Sequence, residues 1–249
     1  MLPVIDTRPS SEVKSVPLAD LATETRPPRS RLYDRMKPLV DFSVALILFV
    51  LTLPLMVIAG LLIRLTSRGP AIYTQARLGR NGVPFSIYKL RTMSHNCEAV
   101  TGPRWCVKGD SRITPIGRLL RKMHIDELPQ LWNVLRGEMS LVGPRPERPE
   151  IVQSLEGVLA GYRGRLAVKP GVTGLAQIQL PADTDIASVR DKLILDLCYV
   201  QQYGASLDIR LMFGTSLYLF GVTYAGVRRA MTLPTGRPEA VGQVLPLKG

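Results

Sequence analysis

KMHIDELPQLWNVLRGEMSLVGPRPE, residues 122–147, sets two adjacent carboxylates, Asp126 and Glu127, just ahead of Pro129. Proline is tolerated in a helix's first turn, where backbone N–H groups have no partner inside the helix, so a helix is expected to start here. Leu128, Leu131, Trp132 and Leu135 supply its apolar face, and Gly137 is a fitting stop. Neighbouring residues on a helix point about 100° apart, so Asp126 and Glu127 are expected to do separate jobs. Arg118, Arg121 and Lys122 bring positive charge up to them from the N-terminal side. On the other side Gly143-Pro144-Arg145-Pro146 reads as a stiff turn that fixes one guanidinium. An acidic pair at a helix start also serves as a plain cap. With arginines on both flanks, the group suits an anionic, phosphate-bearing substrate and a metal ion.

The composition agrees with a basic, membrane-attached chain. Thirty-two Lys and Arg stand against 20 Asp and Glu in 249 residues, a net charge of +12. Acidic partners are expected, with nucleic acid, anionic lipid and sugar-nucleotide phosphates as the candidates. A hydrophobic content of 46% and a mean hydropathy of +0.12, with one long apolar segment, select lipid and phosphate over nucleic acid. Cys97, Cys106 and Cys198 are odd in number and scattered, which argues against a disulfide framework and suits a reducing compartment. His95 with Cys97 and Cys106 lacks a fourth zinc ligand.

Residues 1–30, rich in Pro, Ser, Thr, Arg and Glu, read as a disordered cytosolic tail without a cleavable signal. From Leu39 to Ile63 runs LVDFSVALILFVLTLPLMVIAGLLI, charged only at Asp41 and long enough to cross a bilayer. Pro54 interrupts the backbone ladder mid-segment and is expected to kink it. Arg31, Arg35 and Lys37 precede the segment, and Arg64 and Arg68 follow it. Positive charge at both ends favours no orientation of a span, and both ends of a re-entrant helix would stay cytoplasmic.

Asn81-Gly82, between IYTQ and FSIYK, is a strong hairpin signal. The hairpin would carry Lys89, Arg91 and Thr92 toward the active face. Residues 94–112 read as a loop. Ile113–Met123 has helical spacing, with Ile116, Leu119, Leu120 and Met123 inward and Arg118, Arg121 and Lys122 outward, and would lie on an anionic membrane surface. A modest helix is expected over 150–162. Leu211–Val227, closed by Arg228-Arg229, reads as one interfacial or buried helix. No P-loop, GxGxxG or Ser-His-Asp ordering is present, which argues against kinases, Rossmann dehydrogenases and α/β-hydrolases.

From about Lys37 to about Thr215 the chain resembles the bacterial sugar transferases, monotopic polyprenyl-phosphate glycosyl-1-phosphate transferases of the undecaprenyl-phosphate galactose or glucose phosphotransferase type. DELPQLWNVLRGEMSLVGPRP carries most of the likeness. Lys89, Arg91 and Thr92 match a KxRTM element that lies at the family's phosphate-binding site. Lys169-Pro-Gly-Val-Thr-Gly-Leu-Ala-Gln177 resembles its PGxTGxAQ turn, whose glycines suggest positive φ or close approach to a ligand. Asp191, Asp196, Tyr199 and Asp208 resemble a DxxYV…D pattern and are expected to be structural. Departures are Lys37-Pro38 for the usual Lys-Arg, Leu53-Pro54 for Ser-Pro, and Gly204 for a common serine.

The resemblance implies an α+β fold, mainly helical. It would be a monotopic membrane protein with one re-entrant membrane helix, a short β-hairpin and surface-lying amphipathic helices. Residues 31–68 would be the membrane element with its kink at Pro54, 69–230 the catalytic domain, and 231–249 a flexible tail. It implies transfer of a sugar-1-phosphate from a UDP-sugar to polyprenyl (undecaprenyl) phosphate with release of UMP, initiating exopolysaccharide, lipopolysaccharide or another surface glycan. Asp126 would be the nucleophile through an aspartyl phosphosugar, and Glu127, with Asp126, would hold Mg2+. Lys89, Arg91, Thr92, Arg121, Arg145 and Pro146 would bind substrate phosphates, at the cytoplasmic face of the bacterial inner membrane. A homo-oligomer stays open. The competing readings are a glycosyltransferase releasing UDP, a nucleotide-sugar hydrolase, and a non-catalytic basic protein of the membrane surface.

Overall fold

In the first helix, α1 (Arg31–Thr66), apolar residues run through three-quarters of the length, and helical structure continues on both sides of Pro38 and Pro54. At 1.5 Å per residue its 36 residues extend about 54 Å. It is long and apolar enough to cross a membrane. The computed structural model describes residues 31–95, 97, 109–183 and 185–235. The tail expected over 1–30, most of the 94–112 loop, Cys106 and the part of the expected 231–249 tail after residue 235 lie outside the described residues, whereas Met231 and Leu233 at the start of that tail pack on the main core.

Both ends of α1 pack on the same body. Near its N-terminal end Lys37 Nζ sits 2.5 Å from Asp208 Oδ2, and the Tyr33 hydroxyl donates to the same oxygen. Asp41 accepts a 2.7 Å bond from Ser140 Oγ, and Ala45 joins the main core. Near the C-terminal end Ala59 and Ile63 pack with Leu90, Leu120 and Ile125. Between these contacts Val50, Leu51, Leu53, Leu55, Val57 and Ile58 face outward.

Strands β1 (Ile72–Leu78) and β2 (Pro84–Leu90) form the expected antiparallel hairpin, in register from Ile72↔Leu90 to Leu78↔Pro84. Its turn uses Asn81 and Gly82 at φ 59° and 77°, the positive values that this dipeptide tolerates best. Alternation puts Lys89 on the face of Ile87, which is buried, so the lysine is carried inward. A second sheet pairs β3 (Ser140–Val142) in parallel with β4 (Gly171–Thr173).

Helix α2 (Pro115–Lys122) is capped by Thr114, whose Oγ1 accepts from Gly117 N. Its orientation differs from the pattern reading. Leu120 is buried and Ile116 partly so, but Leu119 and Met123 are 51% and 57% exposed, and Arg121 turns inward. Gly117 sets this rotation, because a Cβ there would fall 2.0 Å from the Thr92 carbonyl oxygen. The chain then passes His124 in the left-handed region (φ 55°) into a 3-10 turn, Ile125–Glu127, and on to α3 (Gln130–Leu135). The acidic pair therefore occupies its own turn, Pro129 is the residue entering α3, and Gly137 closes it at φ 74°. Trp132 is half-exposed beside Phe49 of α1 rather than part of a buried face.

Helix α4 (Pro149–Glu156) and the 3-10 segment Tyr162–Ala167 precede α5 (Ile186–Gln202), α6 (Ala205–Leu219) and α7 (Tyr224–Ala230). The single helix expected over Leu211–Val227 is two helices. Gly221 at φ 89° breaks the run, Thr223 caps α7, and Phe220 is left 88% exposed. Gly143, Gly171 and Gly174 allow close backbone approach, and none of them has a positive φ. A Cβ on Gly171 would lie 2.1 Å from Gly143 N, and one on Gly174 2.2 Å from Gly143 O. The fold is thus mainly helical with short sheets and one long apolar N-terminal helix.

Gly117→Ala is expected to push α2 off Thr92 and cost about 1–3 kcal/mol, as overpacking does. Thermal unfolding of the detergent-solubilised protein should show a midpoint several degrees lower, whereas an alanine at exposed Arg118 should leave it unchanged.

Candidate active site

Three segments far apart in sequence meet at Glu127. Lys89 arrives on β2, Glu127 on the 3-10 turn, and Arg145 on the turn after β3. Lys89 Nζ lies 2.7 Å from Glu127 Oε1, and Arg145 Nη2 lies 2.6 Å from the same oxygen. Arg145 Nη1 reaches Oε2 at 3.3 Å. Burial alone would raise the Glu127 pKa, but the attraction of Arg145 and Lys89 outweighs it and holds the carboxyl well below 4.5. The stabilisation from this pairing is present above that range and is lost as pH falls through the lowered value.

Asp126, one residue away, has the opposite surroundings. It is 8% exposed, and no described residue hydrogen-bonds its carboxylate. Burial first, and then the charge of Glu127, raise its pKa above 3.8, against the pull of Lys89, Arg121 and Arg145. Two neighbouring carboxylates are thereby pushed apart, one locked in ion pairs and one left available. Arg121 Nε donates to Thr92 Oγ1 at 2.8 Å, which ties α2 to the end of the hairpin and brings this arginine's charge to Asp126. Burial lowers the Lys89 pKa, while Glu127 opposes the change.

Of the residues expected at the site, Asp126, Glu127, Lys89, Thr92, Arg121 and Arg145 converge. Arg91 points elsewhere, its Nη2 donating to Ser67 O and Ser67 Oγ at 3.0 and 2.8 Å beyond the C-terminal end of α1. Pro146 is buried and its carbonyl accepts from Arg77 at 3.0 Å, so it belongs to the frame of the turn. Pro54 lies within α1, far along the chain from this cluster.

Sequence reasoning missed the residues that hold the frame. Asn133 is fully buried, donates to Ser86 O at 2.7 Å and accepts from Tyr88 N at 3.1 Å. It clamps α3 to β2 and so sets Lys89 against Glu127. Arg165 is buried between Asp196, at 2.6 Å, and the carbonyl of Arg145, at 2.9 Å. A lone Asn in an apolar helix face was the one available signal for the first; nothing local marked the second.

The raised Asp126 pKa gives a pH expectation. A carboxylate that must be ionised to react loses activity as pH falls through its pKa, so the acid limb should lie above an ordinary aspartate's. Arg121 lowers this pKa, so Arg121→Ala should move the limb of kcat/KM upward as well as reducing the rate. An unmoved limb in the pH profile of that variant would show that Asp126 does not set it.

Residues 32–221, which include the whole cluster, match the bacterial sugar transferase family. Over 186 residues the chain is 38% identical to a UDP-N-acetylgalactosamine-undecaprenyl-phosphate N-acetylgalactosaminephosphotransferase of Aeromonas hydrophila, covering 75% of this chain and 44% of that protein. It is 41% identical over 184 residues to a UDP-glucose:undecaprenyl-phosphate glucose-1-phosphate transferase of Caulobacter vibrioides, 73% of this chain and 68% of the relative. An exopolysaccharide production protein, PSS, of Rhizobium leguminosarum bv. phaseoli is 39% identical over 185 residues, 72% and 92% of the two chains. The chain thus spans less than half of the Aeromonas protein and nearly all of the Rhizobium one. With a match over most of its length that takes in every converging side chain, the protein belongs to the bacterial sugar transferase family.

Proposed function

We propose that this protein transfers a sugar-1-phosphate from a UDP-sugar to polyprenyl phosphate, through a covalent intermediate on Asp126. The observation that carries the reading is the division between the carboxylates: Glu127 is locked by Lys89 and Arg145, while Asp126 is held beside three cations without a hydrogen bond from any described residue. An oxygen of Asp126 attacks the sugar-bearing β-phosphorus, and the bond to the bridging oxygen breaks. UMP leaves with that electron pair. A phosphate oxygen of the polyprenyl phosphate then attacks the same phosphorus, the acyl phosphate bond breaks, and the Asp126 carboxylate is restored. Lys89, Arg121 and Arg145 neutralise the diphosphate, without which an anionic nucleophile would be repelled. The names of the Aeromonas and Caulobacter relatives support both the donor class and the undecaprenyl-phosphate acceptor.

The donor set fits a magnesium ion that arrives with substrate. Among the described residues no three potential ligands cluster, yet Asp126 is free of hydrogen bonds and Glu127 Oε2 accepts only one, at 3.3 Å. Magnesium is commonly held by one or two carboxylates together with substrate phosphates. Glu127 and Asp126 would supply those oxygens, and the bound ion would spread the charge of the diphosphate.

Asp126→Asn is expected to lower UMP release by about 10³-fold or more while leaving the unfolding midpoint nearly unchanged, since an amide cannot form the acyl phosphate. Membranes given a panel of UDP-sugars and undecaprenyl phosphate provide the assay. Release of UDP instead of UMP would indicate an ordinary glycosyltransferase, and near-normal UMP release by the variant would remove the covalent step.

The same reading makes α1 re-entrant, with the active site at the cytoplasmic face of the inner membrane. Support comes from its two ends: Lys37 and Ile63 both pack on one domain. Single cysteines at Arg35 and Arg68, with Cys97, Cys106 and Cys198 replaced, should both resist an impermeant thiol reagent in intact cells and react after permeabilisation. Labelling of one position alone in intact cells would establish a span.

A further inference from the structure

One face of the domain gathers exposed apolar side chains and cations. On α2 Leu119 and Met123 point to solvent, with Arg118 and Lys122 exposed beside them. At the corner where Gly221 separates α6 from α7, Leu219 and Phe220 stand out from the surface, and Arg228 and Arg229 of α7 are exposed beyond them. The corner protrudes: a Cβ on Gly221 would meet nothing within 4 Å. The Tyr218 ring joins the two groups, because it meets His124, the residue after Met123, edge-on at 5.7 Å. Neither α2 nor α7 has a carboxylate, and the one in α6, Asp208, is buried. The patch also continues the outer surface of α1. The inner side of α2, at Leu120 and Ile116, packs on Ala59 and Ile63, while Leu61 and Leu65 of that end of α1 face outward. Large apolar side chains accompanied by cations alone fit the interface of an anionic bilayer.

The same ring contact reaches the acidic turn. His124 holds the left-handed region at φ 55°, and its carbonyl accepts the Glu127 N–H at 3.3 Å. Its backbone thereby sets the turn that carries Asp126 and Glu127. A residue with a side chain keeps such a conformation only where its surroundings fix it. Tyr218 packs against the His124 ring, and is itself fixed by stacking on Tyr224 at 5.2 Å, with the two hydroxyls 3.1 Å apart. We propose that the α6–α7 corner is a membrane contact, in which Leu219 and Phe220 enter the interface of an anionic bilayer beside Leu119 and Met123, and that Tyr218, held there, keeps His124 and the Asp126 turn in position. His124 and Tyr218 are then positioning residues. That role rests on the reading of Asp126 as the nucleophile, whereas the membrane contact rests on the surface alone.

The test uses the full chain in lipid nanodiscs containing phosphatidylglycerol, with Cys97, Cys106 and Cys198 replaced and an environment-sensitive fluorophore attached at Phe220→Cys. Phe220 is largely exposed, so the substitution leaves the core intact. Emission is expected to shift to the blue, to be quenched by lipids with a nitroxide at the top of the acyl chain, and to resist aqueous iodide. Quenching by iodide and not by the nitroxide would overturn the proposal. Protection from both would do the same, since a second copy or another segment of the chain would then cover the corner. For the positioning role, Phe220→Ser and His124→Gly, a glycine that takes positive φ freely, should each lower kcat for UMP release about tenfold, with KM for the UDP-sugar within about twofold of the wild type. Because both act through one contact, the double variant should lose no more than either alone. Tyr218→Phe, which keeps the ring, should retain kcat, and Tyr218→Ala should not. Multiplied losses in the double variant, or wild-type kcat in Phe220→Ser, would overturn the positioning role. The fluorescence result needs no turnover. If no UDP-sugar yields UMP, the transferase reading fails and the positioning role with it, while the quenching still decides the membrane contact.

Discussion

The pairing of Glu127 with Lys89 and Arg145 is the constraint on which the architecture depends. One buried carboxylate draws together a strand, a 3-10 turn and the turn after β3, none of which is close to the others in sequence. Taking three charges from water is costly, and the cost is offset only where geometry is good and hydrogen bonds are complete. The surrounding frame provides both. Asn133 ties α3 to β2, Thr92 ties the hairpin to Arg121, and Arg165 with Arg77 holds the backbone of the Arg145 turn. Around the two carboxylates, Asp126 and Glu127, the cations Lys89, Arg121 and Arg145 are in excess by one.

A second buried polar group connects this site to α1. Lys37, Asp41 and Asp208 are all buried, and Asp41 is bonded to Ser140 while the Tyr199 hydroxyl lies 2.9 Å from Val142 O and 2.8 Å from Asp208 Oδ1. Ser140 and Val142 are the ends of β3, the strand that leads directly into Gly143-Pro144-Arg145. The position of α1 along the domain therefore bears on the position of Arg145. An all-apolar contact would tolerate sliding by a turn, whereas a lysine between two aspartates has one low-energy register.

The sequence was most legible where local chemistry decides. The apolar run of α1, the Asn81-Gly82 turn and the glycine stop at Gly137 all appear where their residue types place them. The hairpin even delivered Lys89 to the correct face, because a strand's alternation leaves no choice once Ile87 is buried. It was least legible where a distant backbone intervenes. Leu119 and Met123 face outward because α2 is seated on Thr92 through Gly117, an interaction 25 residues apart in sequence that no helical pattern encodes. Arg91 was grouped with Lys89 by proximity, yet it lies beyond the end of β2 and bonds to Ser67. The break at Gly221 was hidden because the residues on both sides are apolar, so hydropathy continued while the backbone did not.

Adjacent carboxylates of nearly equal intrinsic acidity illustrate why residue type alone underdetermines chemistry. Asp126 and Glu127 share a turn, and both are largely withdrawn from water. Burial raises both pKa values; what separates them is where the cations' donor hydrogens point. Glu127, one methylene longer, reaches the guanidinium and the ammonium and is held well below its ordinary range. Asp126 stops short, receives their field without their hydrogen bonds, and is raised instead. An anion bound by strong hydrogen bonds is a poor nucleophile, because those bonds must weaken as its charge is spent. An anion stabilised only by nearby charge keeps its lone pairs available and still benefits when substrate draws the same cations closer. Under the proposed mechanism the shorter side chain is the one suited to attack, and the longer one, by occupying Lys89 and Arg145, holds them in place.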